Sequence, residues 1–160
     1  MSESVGVSEN ISFQVKRMVK ANRRWVFDSW TKPELMQLWF APRSMTVPAA
    51  SADLRVGGAY SVEMEGGTDF THVAIGVYKE IVPNQRLSFT WGWQNDPSAE
   101  SLVTVVFRDV EGGTEVILTH KRLASEESRD KHLHGWEGCL EKLARQAEVH
   151  CGVPRRVAVS

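Results

Sequence analysis

The pattern of apolar and polar positions changes period twice along the chain. Ile11, Phe13 and Val15 alternate with Ser12, Gln14 and Lys16, the period-two signature of a half-buried strand over about 11–19. Asn22 then fits an N-cap, and Val26, Phe27 and Trp30 follow at spacings of three and four, which predicts a short helix. Thr31-Lys32-Pro33-Glu34 has the form of a capping box with proline in the first turn, so a second short helix carrying Leu35, Leu38 and Trp39 is expected.

From about residue 45 the period returns to two, giving strands over 46–54, 59–65, 71–82, 86–93, 102–109 and 114–121. The breaks are clusters of turn-forming residues: Gly57-Gly58, Gly66-Gly67-Thr68-Asp69, Pro83-Asn84, Asn95-Asp96-Pro97 and Glu111-Gly112-Gly113. Connections this short make the neighbours antiparallel. A long helix closes the pattern over 125–150. Ser125 is its N-cap, Glu126 and Glu127 complement the dipole, and Leu133, Trp136, Leu140, Leu143 and Ala147 form one apolar stripe. At about 37 Å it is long enough to cross such a sheet. The folded unit is therefore residues 11–150, a single domain, with flexible termini expected over 1–10 and 151–160.

Alternation assigns faces. Leu87, Phe89, Trp91 and Trp93 share one, as do Val103, Val105 and Phe107, and Tyr60, Val62 and Met64. These are expected to meet the Trp136 stripe. His120 follows Val116 and Leu118 at period two and so points the same way, and His132 stands one turn before Trp136. His72 and Tyr78 lie opposite Val73, Ile75 and Val77 and are expected to be exposed, while Trp25 lies on the far side of its helix.

Composition adds one unusual number. The chain of 160 residues has ordinary hydrophobic and charged fractions but six tryptophans against two tyrosines. With Phe27, Trp30 and Trp39 from the short helices, the converging rings at about 150–250 Å² each exceed what a thin two-layer core requires. They fill either a solid core or the walls of a ligand-sized cavity. Net charge is −1, from 19 basic and 20 acidic residues, with no long run of one sign, so neither nucleic acid nor an anionic membrane is an expected partner. Arg23, Arg24, Arg43 and Arg55 read as solvated surface.

Cys139 and Cys151 read as free thiols. The first ten residues have no basic or apolar region of a secretory leader, and no stretch nears 18 apolar residues, so a soluble cytoplasmic protein is expected. His132 and His134, two apart on a helix, diverge by about 200°. No ligand set for a metal, no nucleophile elbow and no phosphate loop occurs, so no metal or cofactor is expected.

Several segments, in order, carry a family resemblance over about residues 11–149: Thr31-Lys32-Pro33-Glu34-Leu35 to Trp39, Gly57-Gly58-Ala59-Tyr60, and Ile81-Val82-Pro83-Asn84-Gln85-Arg86-Leu87-Ser88-Phe89-Thr90-Trp91. Val103-Thr104-Val105-Val106-Phe107, Gly112-Gly113-Thr114-Glu115, Leu118-Thr119-His120 and His132-Leu133-His134-Gly135-Trp136 continue it. The sequence resembles the START-like, birch-pollen-allergen-like superfamily (SRPBCC), in the branch named after the activator of the ninety-kilodalton heat-shock chaperone ATPase. The resemblance implies an α+β helix-grip fold, a curved antiparallel sheet of about seven strands around the last helix, with a cavity between them.

Such cavities hold a hydrophobic or amphipathic small molecule, here with Phe27, Trp30, Trp39, Tyr60, Met64, Trp91, His120, His132 and Trp136 nearest to it. It also leaves open an enzyme of the polyketide cyclase/dehydratase type, with His120 as the candidate catalytic residue, and a chaperone-binding module. A homodimer through an edge strand is compatible with the pattern, which does not require it.

Overall fold

The computed structural model describes residues 11–66 and 70–150. The expected flexible termini, Cys151 and the Gly67-Thr68-Asp69 part of one turn lie outside the described residues. Seven strands form one antiparallel sheet: β1 (Phe13–Val19), β2 (Thr46–Ala52), β3 (Ala59–Gly66), β4 (Phe70–Val82), β5 (Arg86–Trp93), β6 (Asp96–Val110) and β7 (Gly113–Lys121). Their order is β1-β7-β6-β5-β4-β3-β2, so β2 to β7 form a meander and β1 returns to pair with β7. Two short helices, α1 (Arg23–Thr31) and α2 (Pro33–Met36), join β1 to β2, and α3 (Glu126–His150) ends the described chain. Register shifts between Thr46 and Ala49, Tyr78 and Glu80, and Trp91 and Trp93 interrupt the ladders. Bulges of this kind bend a sheet, and here it curls around one face of α3. Among the described residues no helix is long and apolar enough to cross a membrane.

The helix starts are set locally. Asn22 Oδ1 accepts from Trp25 N at 2.9 Å, and Ser125 Oγ accepts from Ser128 N at 3.0 Å, each satisfying an otherwise orphaned first-turn donor. The Thr31 capping box does not form. Thr31 is the last residue of α1, and its buried hydroxyl bonds back to the Phe27 carbonyl at 3.0 Å. Lys32 occupies the N-cap of α2 without a side-chain bond, leaving Pro33 and Glu34 to define the first turn. Met36, Trp39 and Phe40, rather than Leu38, face the core from this segment.

Two further expectations are corrected. β6 begins at Asp96, six residues early, because Trp93 pairs with Asp96 across a two-residue turn and Trp91 pairs with Ser101. Main-chain pairing holds this polar stretch in the sheet, so it shows no apolar alternation. On β4 the faces are reversed. Tyr78 is buried and His72 half-buried, in a row with Ala74 and Gly76, whereas Val73, Ile75 and Val77 lie on the outer face. The pairs Met64–His72 and Tyr60–Gly76 fix this register. Gly76 in this row admits no side chain, because a Cβ there would meet the Thr90 carbonyl oxygen and lie 2.7 Å from the Tyr60 ring.

α3 buries Trp136, Gly138, Cys139, Leu140, Leu143 and Ala147; its first turns, Glu126 to Gly135, contribute no fully buried residue. The middle of the helix is pinned to the segment after α2. Lys142 Nζ donates to the carbonyls of Pro42 and Met45 at 3.1 and 2.9 Å, and Arg43 bonds Glu141 at 2.6 Å, holding that carboxyl below the usual range. A Cβ at Gly138 would lie 2.8 Å from the Arg43 backbone nitrogen, whereas one at Gly135 would make an ordinary 3.6 Å contact with Pro42. The two helical glycines should therefore respond oppositely. Gly138→Ala is expected to destabilise by about 1–3 kcal/mol, since backbone must move, and Gly135→Ala to stabilise by about 0.5–1 kcal/mol through helix propensity. Urea unfolding of both variants measures this.

Candidate functional site

The interior has a filled end and a hollow end. At the filled end, Trp30 is ringed by Trp39, Phe40, Phe89, Phe107 and Trp136, with centroid separations of 4.7 to 6.4 Å. Phe27 packs edge-on against Phe107 at 5.6 Å. Trp39 Nε1 donates to the Ser29 carbonyl at 3.1 Å, tying the segment after α2 to α1. Tyr60 packs on Tyr78 and Phe89 and donates to the Thr90 carbonyl at 2.6 Å; burial pushes its hydroxyl pKa up.

The hollow end lies under the first half of α3. A cavity of about 430 Å³ is bounded by Met64, His72, Trp91 and Trp93 from the sheet, by His132, Gly135, Trp136 and Cys139 from the helix, and by Pro42. Asn95, Asp96 and Lys131 form its polar rim. Among the described residues, α3 borders it with Gly135, which has no side chain, between His132 and Trp136, and β4 borders it with His72. The volume is within the range of about 300–1,000 Å³ typical of small-molecule sites. Burial pushes the Cys139 thiol up to about 12, so it is a packing group there and not a thiolate nucleophile.

His120 lies between the two ends. It faces Val103 on β6 and Phe13 on β1 and is completely buried. Trp136 Nε1, which can only donate, donates to His120 Nδ1 at 3.1 Å. The ring proton is therefore on Nε2, which donates to Ser101 Oγ at 2.7 Å, and Ser101 in turn donates to the Trp91 carbonyl at 3.2 Å. Every polar atom of the imidazole is used. Burial, with His132 nearby at a centroid distance of 5.0 Å, holds His120 well below its ordinary pKa of 6.5, hence neutral.

His132 is arranged differently. Its Nδ1 donates to the Ser128 carbonyl at 2.8 Å, which leaves Nε2 with a bare lone pair. Burial lowers its pKa too. Nε2 is buried with no hydrogen-bond partner, and so is Trp91 Nε1, an N–H donor. Each such atom costs about 1–3 kcal/mol when left unmade, and both side chains line the cavity.

Of the residues singled out in the sequence, Met64, Trp91, His132 and Trp136 line the cavity. Phe27, Trp30, Trp39 and Tyr60 belong to the packed end, and His120 sits behind the Trp91–Trp136 wall. Pattern reading missed His72, Pro42, Gly135, Cys139 and the rim as lining groups. Gly135 carried a usable signal, a glycine inside a long helix one residue before its central tryptophan. Among the described residues no group of three or more His, Cys, Asp or Glu side chains is placed to hold a metal ion.

A curled antiparallel sheet gripping a C-terminal helix, with two short helices after the first strand, places the chain in the helix-grip, START-like superfamily. Residues 20–148 match the model of the family described as activator of Hsp90 ATPase homolog 1-like protein, and the chain belongs to that family. Among similar structures is the AHSA1 protein of Silicibacter pomeroyi, 27% identical, covering 86% of this chain and 98% of that one with a TM-score of 0.77. A Chromobacterium violaceum protein is 22% identical over 86% of this chain and 96% of its own, with a TM-score of 0.76. An AHSA1-like protein of Aeromonas hydrophila is 20% identical over 90% and 96%, with a TM-score of 0.73. No curated protein matches the chain.

The neutral, buried His120 makes stability pH-dependent. Above pH 6.5, its ordinary value in the unfolded chain, both states leave it uncharged and nothing is lost. Below that pH the unfolded chain takes up a proton that the folded protein refuses. Stability should therefore fall as pH drops from about 6.5 toward 5, by up to about 1.4 kcal/mol per pH unit from this group. His120→Gln should be less stable at pH 7.5 yet show a shallower slope in that window, measured by urea unfolding at a series of pH values.

Proposed function

We propose that this protein binds a small hydrophobic or amphipathic molecule in the cavity between the sheet and α3. The observation that carries this reading is the hollow itself: indole and imidazole rings wall a volume suited to a ligand, while ample aromatic packing is already completed elsewhere. Its walls are apolar and its rim polar, the arrangement that binds the body of a molecule by burial and leaves one end near water.

An enzymatic role of the cyclase or dehydratase kind gains less support from His120, whose ring nitrogens are both committed to structural bonds. The family description supports a second reading, a module acting on the ATPase of a ninety-kilodalton heat-shock chaperone. Steady-state ATP hydrolysis by the chaperone, with and without this protein, decides that reading.

For the binding reading, the uncharged fluorophore 1-aminoanthracene should bind saturably at one site, with enhanced emission and quenching of tryptophan fluorescence. Gly135→Phe, which projects a ring into the cavity, should weaken binding by about ten-fold or more and shift the melting temperature little. Unaltered binding by this variant would place the probe elsewhere and remove the support for the cavity.

A further inference from the structure

Resting on the binding reading above, we propose that the cavity selects a ligand carrying a neutral polar group that both accepts and donates a hydrogen bond, an alcohol, phenol or N–H amide, on an otherwise apolar body. The selecting atoms are Trp91 Nε1 and His132 Nε2.

The two atoms are complementary in kind. An indole N–H can only donate. His132 Nε2 can only accept while its Nδ1 hydrogen is held by the Ser128 carbonyl at 2.8 Å. The rings meet edge to face with centroids 6.4 Å apart, on two walls of the same cavity, and Trp91 is only 4% exposed. Both atoms are buried and unpartnered. A hydroxyl satisfies the pair with one lone pair and one hydrogen, and an N–H amide does so with its carbonyl and its hydrogen.

A carboxylate cannot. It has no hydrogen for Nε2, and its charge would be stripped of water against apolar rings. Lys131, the cation lining the cavity, is on the exposed rim with its ammonium 3.6 Å from Glu127. A primary ammonium could donate to Nε2 but would turn its remaining hydrogens toward the Trp91 N–H and forfeit its hydration. The third unpartnered buried donor, Trp30 Nε1, lies in the packed ring cluster and does not line the cavity.

Isothermal titration of the full chain with four probes of one shape tests the proposal: 2-naphthol, naphthalene, 2-naphthoate and 2-naphthylmethylammonium. The expected result is that 2-naphthol binds about ten-fold or more tighter than each of the others. Trp91→Phe and His132→Phe, each checked for fold by near-ultraviolet circular dichroism, should bring 2-naphthol to within about three-fold of naphthalene while naphthalene still binds. Equal binding of naphthol and naphthalene by the wild type overturns the proposal and leaves the cavity reading standing, as does tightest binding of the anion or the cation. Preference for naphthol that survives in both variants assigns selection to other atoms and also overturns it. Failure of all four probes and of 1-aminoanthracene takes down the binding reading itself.

Discussion

The indole of Trp136 is the joint on which the molecule is assembled. Its nitrogen donates into the sheet at His120, one face stacks on Trp30 with centroids 5.8 Å apart, and its ring approaches Trp91 at 5.1 Å and Phe40 at 5.7 Å. One side chain thus fixes the rotation of α3, its depth above the sheet and the tautomer of the buried histidine. C-terminal to it on the helix, Gly138, Cys139, Leu140, Leu143 and Ala147 are packed, and Glu141 and Lys142 are pinned to the segment around Pro42. N-terminal to it no helical residue is fully buried, and Lys131, His132 and Gly135 border the hollow. The cavity is the geometric remainder of a helix set at a fixed height by a large ring and followed, toward its start, by a glycine and a histidine.

The relay from Trp136 through His120 and Ser101 to the Trp91 carbonyl explains how a polar imidazole sits without cost in an aromatic interior. It has a direction: each member donates to the next, and the last acceptor is main chain. Such a chain resists protonation because an added proton at Nδ1 would face the Trp136 N–H. The contrast with His132 is instructive. Two histidines with centroids 5.0 Å apart differ in role because one has both ring nitrogens bonded and the other has partners only at Nδ1, the carbonyl and hydroxyl of Ser128.

Most of the architecture was legible in the sequence, and for identifiable reasons. Asn22 and Ser125 cap helices through contacts within three residues, and the stripe through Trp136, Leu140, Leu143 and Ala147 is written at helical spacing. These are local signals. The face of β4 was not legible, because Val73, Ile75 and Val77 are the more apolar row and yet lie outside; their orientation is set by pairing with β3 and by the space the Tyr60 ring takes. The early start of β6 was hidden in the same way, since Asp96 to Ser101 is held by its neighbour's main chain. At the site, pattern reading identified Trp91, His132 and Trp136 but grouped them with Trp30 and Trp39, because convergence on one side of a sheet does not reveal where packing stops. That boundary depends on three-dimensional volume, above all on the missing side chain of Gly135.

The separation of the two ends has a bearing on how such a chain can change over generations. Met64, His72, Trp93, Asn95, Asp96, Lys131 and His132 touch the hollow but lie outside the ring cluster around Trp30. Several of them touch one another, His72 and His132 both packing on Trp93 with centroids 5.6 and 6.2 Å apart, so substitutions there act on one another rather than add. Trp91 and Trp136 belong to both ends. The residues that shape the hollow are thus largely separate from those that pack around Trp30, within a scaffold whose similar structures keep its shape while sharing about a fifth to a quarter of their residues with it.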